Sequence, residues 1–185
     1  MQRLEPAQCA VVVIDLQDKL LSAMPASRVA DVLRAGNVLI EAAALLGARV
    51  IATEQYPAGL GHTVAPIADG LERLGAPILP KLDFSACDDP EFDRTWARFG
   101  VRAAIVIGVE AHVCVLQTVR DLCARGVQVL VPLDGVASRR DDHRAAGLDL
   151  CRAAGATVTT AESVVFDWLR RAGTDEFKKL SKLIR

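Results

Sequence analysis

The chain has 185 residues, 51% of them hydrophobic and 24% charged, with 22 Lys+Arg against 23 Asp+Glu. A length of 185 residues suits a single domain spanning 1–185, with a core that buries roughly two thirds of the unfolded surface, and the composition excludes a disordered or low-complexity chain. A formal net charge of −1 leaves no cationic excess to neutralise a phosphate backbone, and no apolar run is long enough for a bilayer, so neither nucleic acid nor membrane is an expected partner.

Taken in chain order, apolar runs alternate with amphipathic ones. Ala10 to Ile14 is β-branched and apolar on both faces, which marks a strand of a parallel sheet covered by helices on both sides. The run from Ser27 to Leu46 repeats apolar residues at helical spacing through Val29, Val32, Leu33, Leu39 and Ala43, with Gly47 as its stop. Short strands are predicted over 49–53 and 76–79. Asp89-Pro90 caps and opens a helix through Phe99. Ala103 to Ile107 is a second fully apolar strand, followed by a helix over 111–125 that Gly126 ends. Strands over 127–131 and 156–159 alternate with helices over 141–154, 160–170 and 174–184. Alternation of this kind specifies a three-layer α/β/α fold with a mainly parallel sheet, and such sheets bind ligands outside the carboxyl ends of their strands.

Asp15 follows the first strand, Lys81 the third, and Cys114 opens the helix after the fourth, so an acid, a base and a thiol emerge on one rim. Nucleophilic catalysis can use such a set. A helix N-terminus and a nearby cation both favour thiolate, so Cys114 is expected to be ionised, with Asp15 exchanging its proton and Lys81 steadying the pair. Backbone N–H groups at Cys114 and just before it are candidates for an oxyanion hole. The same positions also fit a capping carboxylate, a small core residue and a solvated lysine.

Three blocks, Ile14-Asp-Leu-Gln17, Lys81-Leu-Asp-Phe-Ser85 and Ile107-Gly-Val-Glu-Ala-His-Val-Cys-Val115, resemble the signature segments of the isochorismatase-like cysteine hydrolases. The likeness continues through Thr118, Arg120, Asp121 and Gly126, and through a strand ending in Leu133-Asp-Gly-Val-Ala-Ser-Arg139. The resemblance implies an Asp15, Lys81, Cys114 triad and a six-stranded sheet in the order 3-2-1-4-5-6. It further implies a cis peptide at Val109-Glu110, so that Val109, Glu110 and Val113 form the oxyanion region, and association into a dimer, a tetramer or a larger homo-oligomer.

Nicotinamidases of that family carry a metal-binding Asp and His after the second strand. Glu54 and Tyr56 stand there instead, and His62 alone does not make a site, so no metal and no cofactor are expected. The stretch Glu54 to Gly61 is more similar to the isochorismatase domain-containing branch. The family's substrates include small amides, carbamoyl or ureido compounds and the ether isochorismate, and Leu16, Tyr56, Leu60, Phe84 and His112 are candidate pocket walls. His112 alternatively caps the helix start, and Tyr56 and Phe84 alternatively pack as ordinary apolar residues.

Arg120 has the Cys-x5-Arg spacing of a phosphatase loop, but the five intervening residues contain no glycine and follow a helical period, which turns Arg120 away from Cys114. The absence of glycine after the first strand excludes a dinucleotide fingerprint. The five cysteines are scattered without a Cys-x-x-Cys pair, and Glu5-Pro6 precedes the first apolar run, so neither a disulfide framework nor a leader peptide is expected and the default compartment is the cytoplasm. The competing function is a non-catalytic oligomeric interaction module whose terminal helix docks a partner.

Overall fold

The computed structural model describes residues 3–184. Its strands are β1 (Cys9–Ile14), β2 (Arg49–Gln55), β3 (Ile78–Lys81), β4 (Ala103–Val109), β5 (Gln128–Pro132), β6 (Val136–Ala137) and β7 (Thr157–Thr159). The helices are α1 (Asp18–Leu21), α2 (Ala26–Leu46), α3 (Pro57–Leu60), α4 (Ala65–Leu74), α5 (Pro90–Phe99), α6 (Leu116–Ala124), α7 (Asp141–Ala153), α8 (Ala161–Leu169) and α9 (Asp175–Leu183).

The strands pair in parallel in the order β3-β2-β1-β4-β5-β7, and β6 pairs the end of β4. This is the order anticipated, with one strand added. Val136 and Ala137 are too short a segment to produce a pattern, and the strand expected over 127–131 runs from Gln128 to Pro132. β1 and β4 are buried along their whole length, which is why neither alternates polar and apolar residues. Their side chains divide the core in two. Val11 and Val13 face α2, α4, α8 and α9, whereas Ala10, Val12 and Ile14 face α5, α6 and α7.

Helix α4 was passed over in the sequence, although Ile67, Leu71 and Leu74 recur at helical spacing between Pro66 and Gly75; Gly70 lies on the same buried face. A Cβ at that position would stand 3.0 Å from Ile40 Cγ2 on α2, so the glycine lets the two helices close together. Asp89 caps α5 as expected, its Oδ1 accepting from the N–H groups of Glu91 at 2.8 Å and Phe92 at 3.0 Å. The segment after β4 is not one continuous helix. It begins as a π-helical turn, Ala111–Val115, and only then becomes α6.

The register places four strand ends side by side. Ile14 pairs with Thr53 and with Gly108, and Gln55 pairs with Lys81. Gly108 makes this possible. Its φ is +126°, and a Cβ there would lie 2.0 Å from the Ile14 carbonyl oxygen. Backbone cannot yield that distance locally, so Gly108→Ala is expected to destabilise the fold by about 4 kcal/mol or more. Urea unfolding followed by circular dichroism measures it, and a midpoint equal to wild type would contradict the close approach.

Candidate active site

The chain leaves β1 through a left-handed residue. Asp15 has φ +53°, a conformation that aspartate tolerates better than most residues but that still costs of order 1 kcal/mol. The turn is held by its N–H donating to the Thr53 carbonyl at 3.1 Å and by the Thr53 hydroxyl donating to Asp15 Oδ1 at 2.7 Å. The other carboxylate oxygen, Oδ2, faces Lys81 Nζ at 2.9 Å. Asp15, Lys81 and Cys114 are 0%, 2% and 6% exposed. The structure thus brings all three together inside the protein, and the alternative of a solvated lysine does not hold.

The lysine is surrounded by oxygen. Its ammonium donates to Gln55 Oε1 at 2.6 Å and to the carbonyls of Asp83 and Phe84, each at 3.2 Å. These three acceptors take its three N–H groups, which leaves Lys81 no free donor for a bound molecule, and the contact with Asp15 Oδ2 is an ion pair without hydrogen-bond geometry.

Cys114 lies in the π-helical turn, with Gln55 Oε1 3.9 Å from its sulfur. Burial and then the Asp15 charge push the thiol up to about 12; Lys81 pulls it down and is outweighed, and a hydrogen bond to Asp15 adds to the rise. The expectation of a standing thiolate is therefore corrected. The lysine's charge is already answered by Asp15, which favours the protonated thiol beside Gln55 Oε1. An arrangement of this kind can pass the proton to Asp15 as the sulfur attacks.

The oxyanion expectation is also corrected in part. The Val109–Glu110 peptide is cis. The Val113 N–H donates to the Glu110 carbonyl at 3.0 Å and is not presented to a ligand. The Glu110 carboxylate is tied to Arg139, accepting from its backbone N–H at 2.9 Å and its Nε at 3.2 Å.

Leu16 does not belong to the pocket. It is fully buried in the apolar cluster beneath α2, on the opposite side of the sheet from Cys114. His112 is engaged elsewhere, with Nδ1 3.0 Å from the Ser138 hydroxyl and its ring 4.7 Å from that of His143. Burial lowers its pKa; Glu110 opposes this, and His143 and Arg139 act in the same direction as burial. Tyr56 and Phe84 are exposed, and Leu60 is half-buried. The Tyr56 ring lies on Gly59, where a Cβ would meet it at 2.1 Å. A depression of about 340 Å³ opens beside Lys81, lined by Pro57, Pro80, Leu82, Asp83 and Asp89. None of the pocket residues anticipated from the sequence is among its walls.

Glu54 is occupied. Its Oε1 accepts from the Thr63 N–H at 2.7 Å and the Thr63 hydroxyl at 2.9 Å, and its Oε2 lies 3.0 Å from His62 Nδ1. Burial acts to raise its pKa, but these bonds outweigh it and hold the carboxyl below its usual range. Arg120 is exposed beside Asp121, away from the buried sulfur.

The residues that sequence reasoning passed over are mainly supports. Gln17 clamps Gln55 through both backbone groups, donating to its carbonyl at 3.0 Å and accepting from its N–H at 2.7 Å. The loop after Lys81 is tied to α6, with the Ser85 hydroxyl donating to Asp121 Oδ2 at 2.6 Å and the Ala86 N–H to the Thr118 hydroxyl at 3.0 Å. Gly147 on α7 presses on the nucleophile turn, since a Cβ there would stand 2.7 Å from the His112 backbone nitrogen. The signal for Gln55 was its place at the carboxyl end of a strand next to β1.

A thiol pushed up to about 12 gives a direct expectation. The thiolate fraction rises about tenfold per pH unit below the pKa. Iodoacetamide alkylation at Cys114, resolved from the other cysteines by peptide mass spectrometry, should climb from pH 7 to 10 without a plateau. A plateau near neutrality would restore the standing thiolate.

A family model described as Isochorismatase domain matches residues 9–163. The chain is 35% identical over 181 residues to isochorismatase domain-containing protein 1 of Salmo salar, covering 97% of this chain and 62% of that protein. It is 36% identical over 186 residues to the secreted isochorismatase effector Isc1 of Phytophthora sojae, covering 99% of this chain and 87% of that one. Among solved structures, the MAR1 ribonuclease of Caenorhabditis elegans matches with a TM-score of 0.89 at 38% identity, over 99% of this chain and 92% of that one.

Proposed function

Because this chain belongs to the isochorismatase family, we propose that it is a hydrolase of small molecules that uses Cys114 as nucleophile, Asp15 as proton acceptor and donor, and Lys81 as the fixed charge between them. The observation that carries the reading is the buried 2.9 Å ion pair of Asp15 and Lys81 next to a nearly enclosed thiol. Three strand ends supply these groups, and nothing in the packing of the sheet requires an ion pair there.

For an amide substrate the steps balance without a further reagent. The Cys114 sulfur bonds to the carbonyl carbon while its proton passes to Asp15. Collapse breaks the C–N bond, and Asp15 returns that proton to the departing amine, leaving a thioester. Water then attacks the thioester carbon and loses a proton to Asp15, the C–S bond breaks, and the sulfur recovers the proton. Lys81 faces the one negative charge of the site while it rests on Asp15 or on sulfur, and in each tetrahedral intermediate that charge passes to the former carbonyl oxygen, for which the Cys114 backbone N–H is the candidate donor. Small amides, carbamoyl or ureido compounds and isochorismate-like ethers remain the substrate classes, and no cofactor or metal enters the steps.

The C. elegans relative is described as a ribonuclease. For this chain a net charge of −1 and a lysine with no free donor favour a small substrate over RNA, and a short RNA belongs in the substrate panel as the opposing case. We place the chain in the cytoplasm on its five free, scattered cysteines, although the P. sojae relative is named a secreted effector. Among the described residues no helix is long and apolar enough to cross a membrane.

Cys114→Ala and Cys114→Ser should abolish turnover on every member of the panel and leave unfolding midpoints near wild type; retained turnover would favour the interaction-module reading or another nucleophile. Asp15→Asn separates two roles of the carboxylate. It removes the proton acceptor, so turnover should fall at least a thousandfold, yet it also removes the charge that opposes thiolate, so alkylation of Cys114 at pH 8 should become faster. Slower alkylation would show that Asp15 does not hold the thiol protonated.

Exposed Tyr56, Leu82 and Phe84 beside the site support self-association. Size-exclusion chromatography with light scattering should show a dimer or larger assembly, and a lone monomer at micromolar concentration would count against it.

A further inference from the structure

The amide of Gln55 is oriented by its surroundings. Its Nε2 donates to the Leu82 carbonyl at 2.7 Å, a bond that only the nitrogen can make. Its Oε1 therefore points inward, where it accepts from Lys81 at 2.6 Å and lies 3.9 Å from the Cys114 sulfur. The backbone of Gln55 is clamped by Gln17, and its strand neighbour in register is Lys81 itself. The residue joins the lysine, the thiol and the loop that supplies the lysine's other two acceptors.

The charged groups around this oxygen are Asp15 from the end of β1, Lys81 from the end of β3 and the titratable thiol of Cys114. Glu54, the adjacent carboxylate, is turned to Thr63 and His62. Asp121 is bonded to Ser85. One positive charge therefore meets one negative charge, and the closest acceptor of the lysine is neutral.

We infer that Gln55 is a positioning residue, which fixes the Lys81 ammonium with an uncharged oxygen so that the whole lysine charge is left for the single negative charge that moves between Asp15 and Cys114. A carboxylate in its place would hold the lysine as firmly. It would also set a second negative charge beside the sulfur and oppose thiolate formation in a poorly screened interior. The inference rests on the proposed roles of Asp15, Lys81 and Cys114, but its test reads thiol chemistry and needs no substrate, so it can fail while those roles stand.

The test compares wild type, Gln55→Glu and Gln55→Asn by iodoacetamide alkylation at Cys114 from pH 7 to 10. Gln55→Glu is expected to slow alkylation tenfold or more throughout this range. Gln55→Asn draws the acceptor back but stays neutral, and is expected to slow alkylation by less than tenfold. A purely structural role predicts the reverse ranking, because glutamate keeps an oxygen at the same reach. Slowing of less than tenfold in Gln55→Glu, or slowing in Gln55→Asn as large as in Gln55→Glu, overturns the inference. A second measurement does not depend on the glutamate variant folding: in ¹⁵N-lysine NMR the Lys81 ammonium protons should exchange at least tenfold faster in Gln55→Met than in wild type, and equal protection would overturn the positioning role.

Discussion

An ammonium group removed from water must find oxygen for each of its protons, and that requirement organises this molecule around Lys81. Its three acceptors come from the end of β2 and two carbonyls of the loop after β3, and its counter-charge, Asp15, from the end of β1. They coincide because β1, β2 and β3 pair in parallel, Ile14 beside Thr53 and Gln55 beside Lys81, and because the left-handed turn at Asp15 takes the chain out of β1 at that point. A buried pair of this kind does little for stability compared with apolar residues, but removing one partner strands a charge at a cost of about 3–5 kcal/mol. Such a pair at the carboxyl edge of a sheet is easier to understand as chemistry than as packing.

The thiols make the same point by contrast. Burial raises Cys9 and Cys87 to about 11 and Cys151 to about 12, the same range as Cys114. Acidity at rest therefore does not distinguish the candidate nucleophile. What distinguishes it is company: Cys87 also has a cation, Arg125, and carboxylates acting on it, but among the described cysteines Cys114 alone stands beside the buried Asp15–Lys81 ion pair. A sulfur kept protonated until a substrate arrives is also protected from indiscriminate reaction, since the thiolate is the reactive form.

The supports outside the triad follow from this geometry. Ser85 and Thr118 bind the lysine's loop to α6, and the glycine at 147 lets α7 lie directly on the turn that carries the sulfur. Glu110 and His112, both close to Cys114 in the chain, are held by Arg139 and Ser138 just beyond β6. The added two-residue strand thus anchors the segment that braces the nucleophile turn.

Read alone, the sequence determined the layered architecture and put Asp15, Lys81 and Cys114 on one rim, because unbroken β-branched runs mark doubly covered sheets whose strand ends share an edge. The strand order came from the resemblance to the isochorismatase-like hydrolases and not from the pattern of residues. The two-residue β6 left no pattern to read, and α4 was passed over although Ile67, Leu71 and Leu74 recur at helical spacing. The sequence placed Leu16 in the pocket by adjacency, whereas the turn at Asp15 sends that side chain to the other face of the sheet. It set the protonation of Cys114 the wrong way round and left Gln55 unremarked, for one reason. Both depend on how burial and several charges from distant parts of the chain balance at a single point, and that balance exists only once the tertiary structure has brought them together.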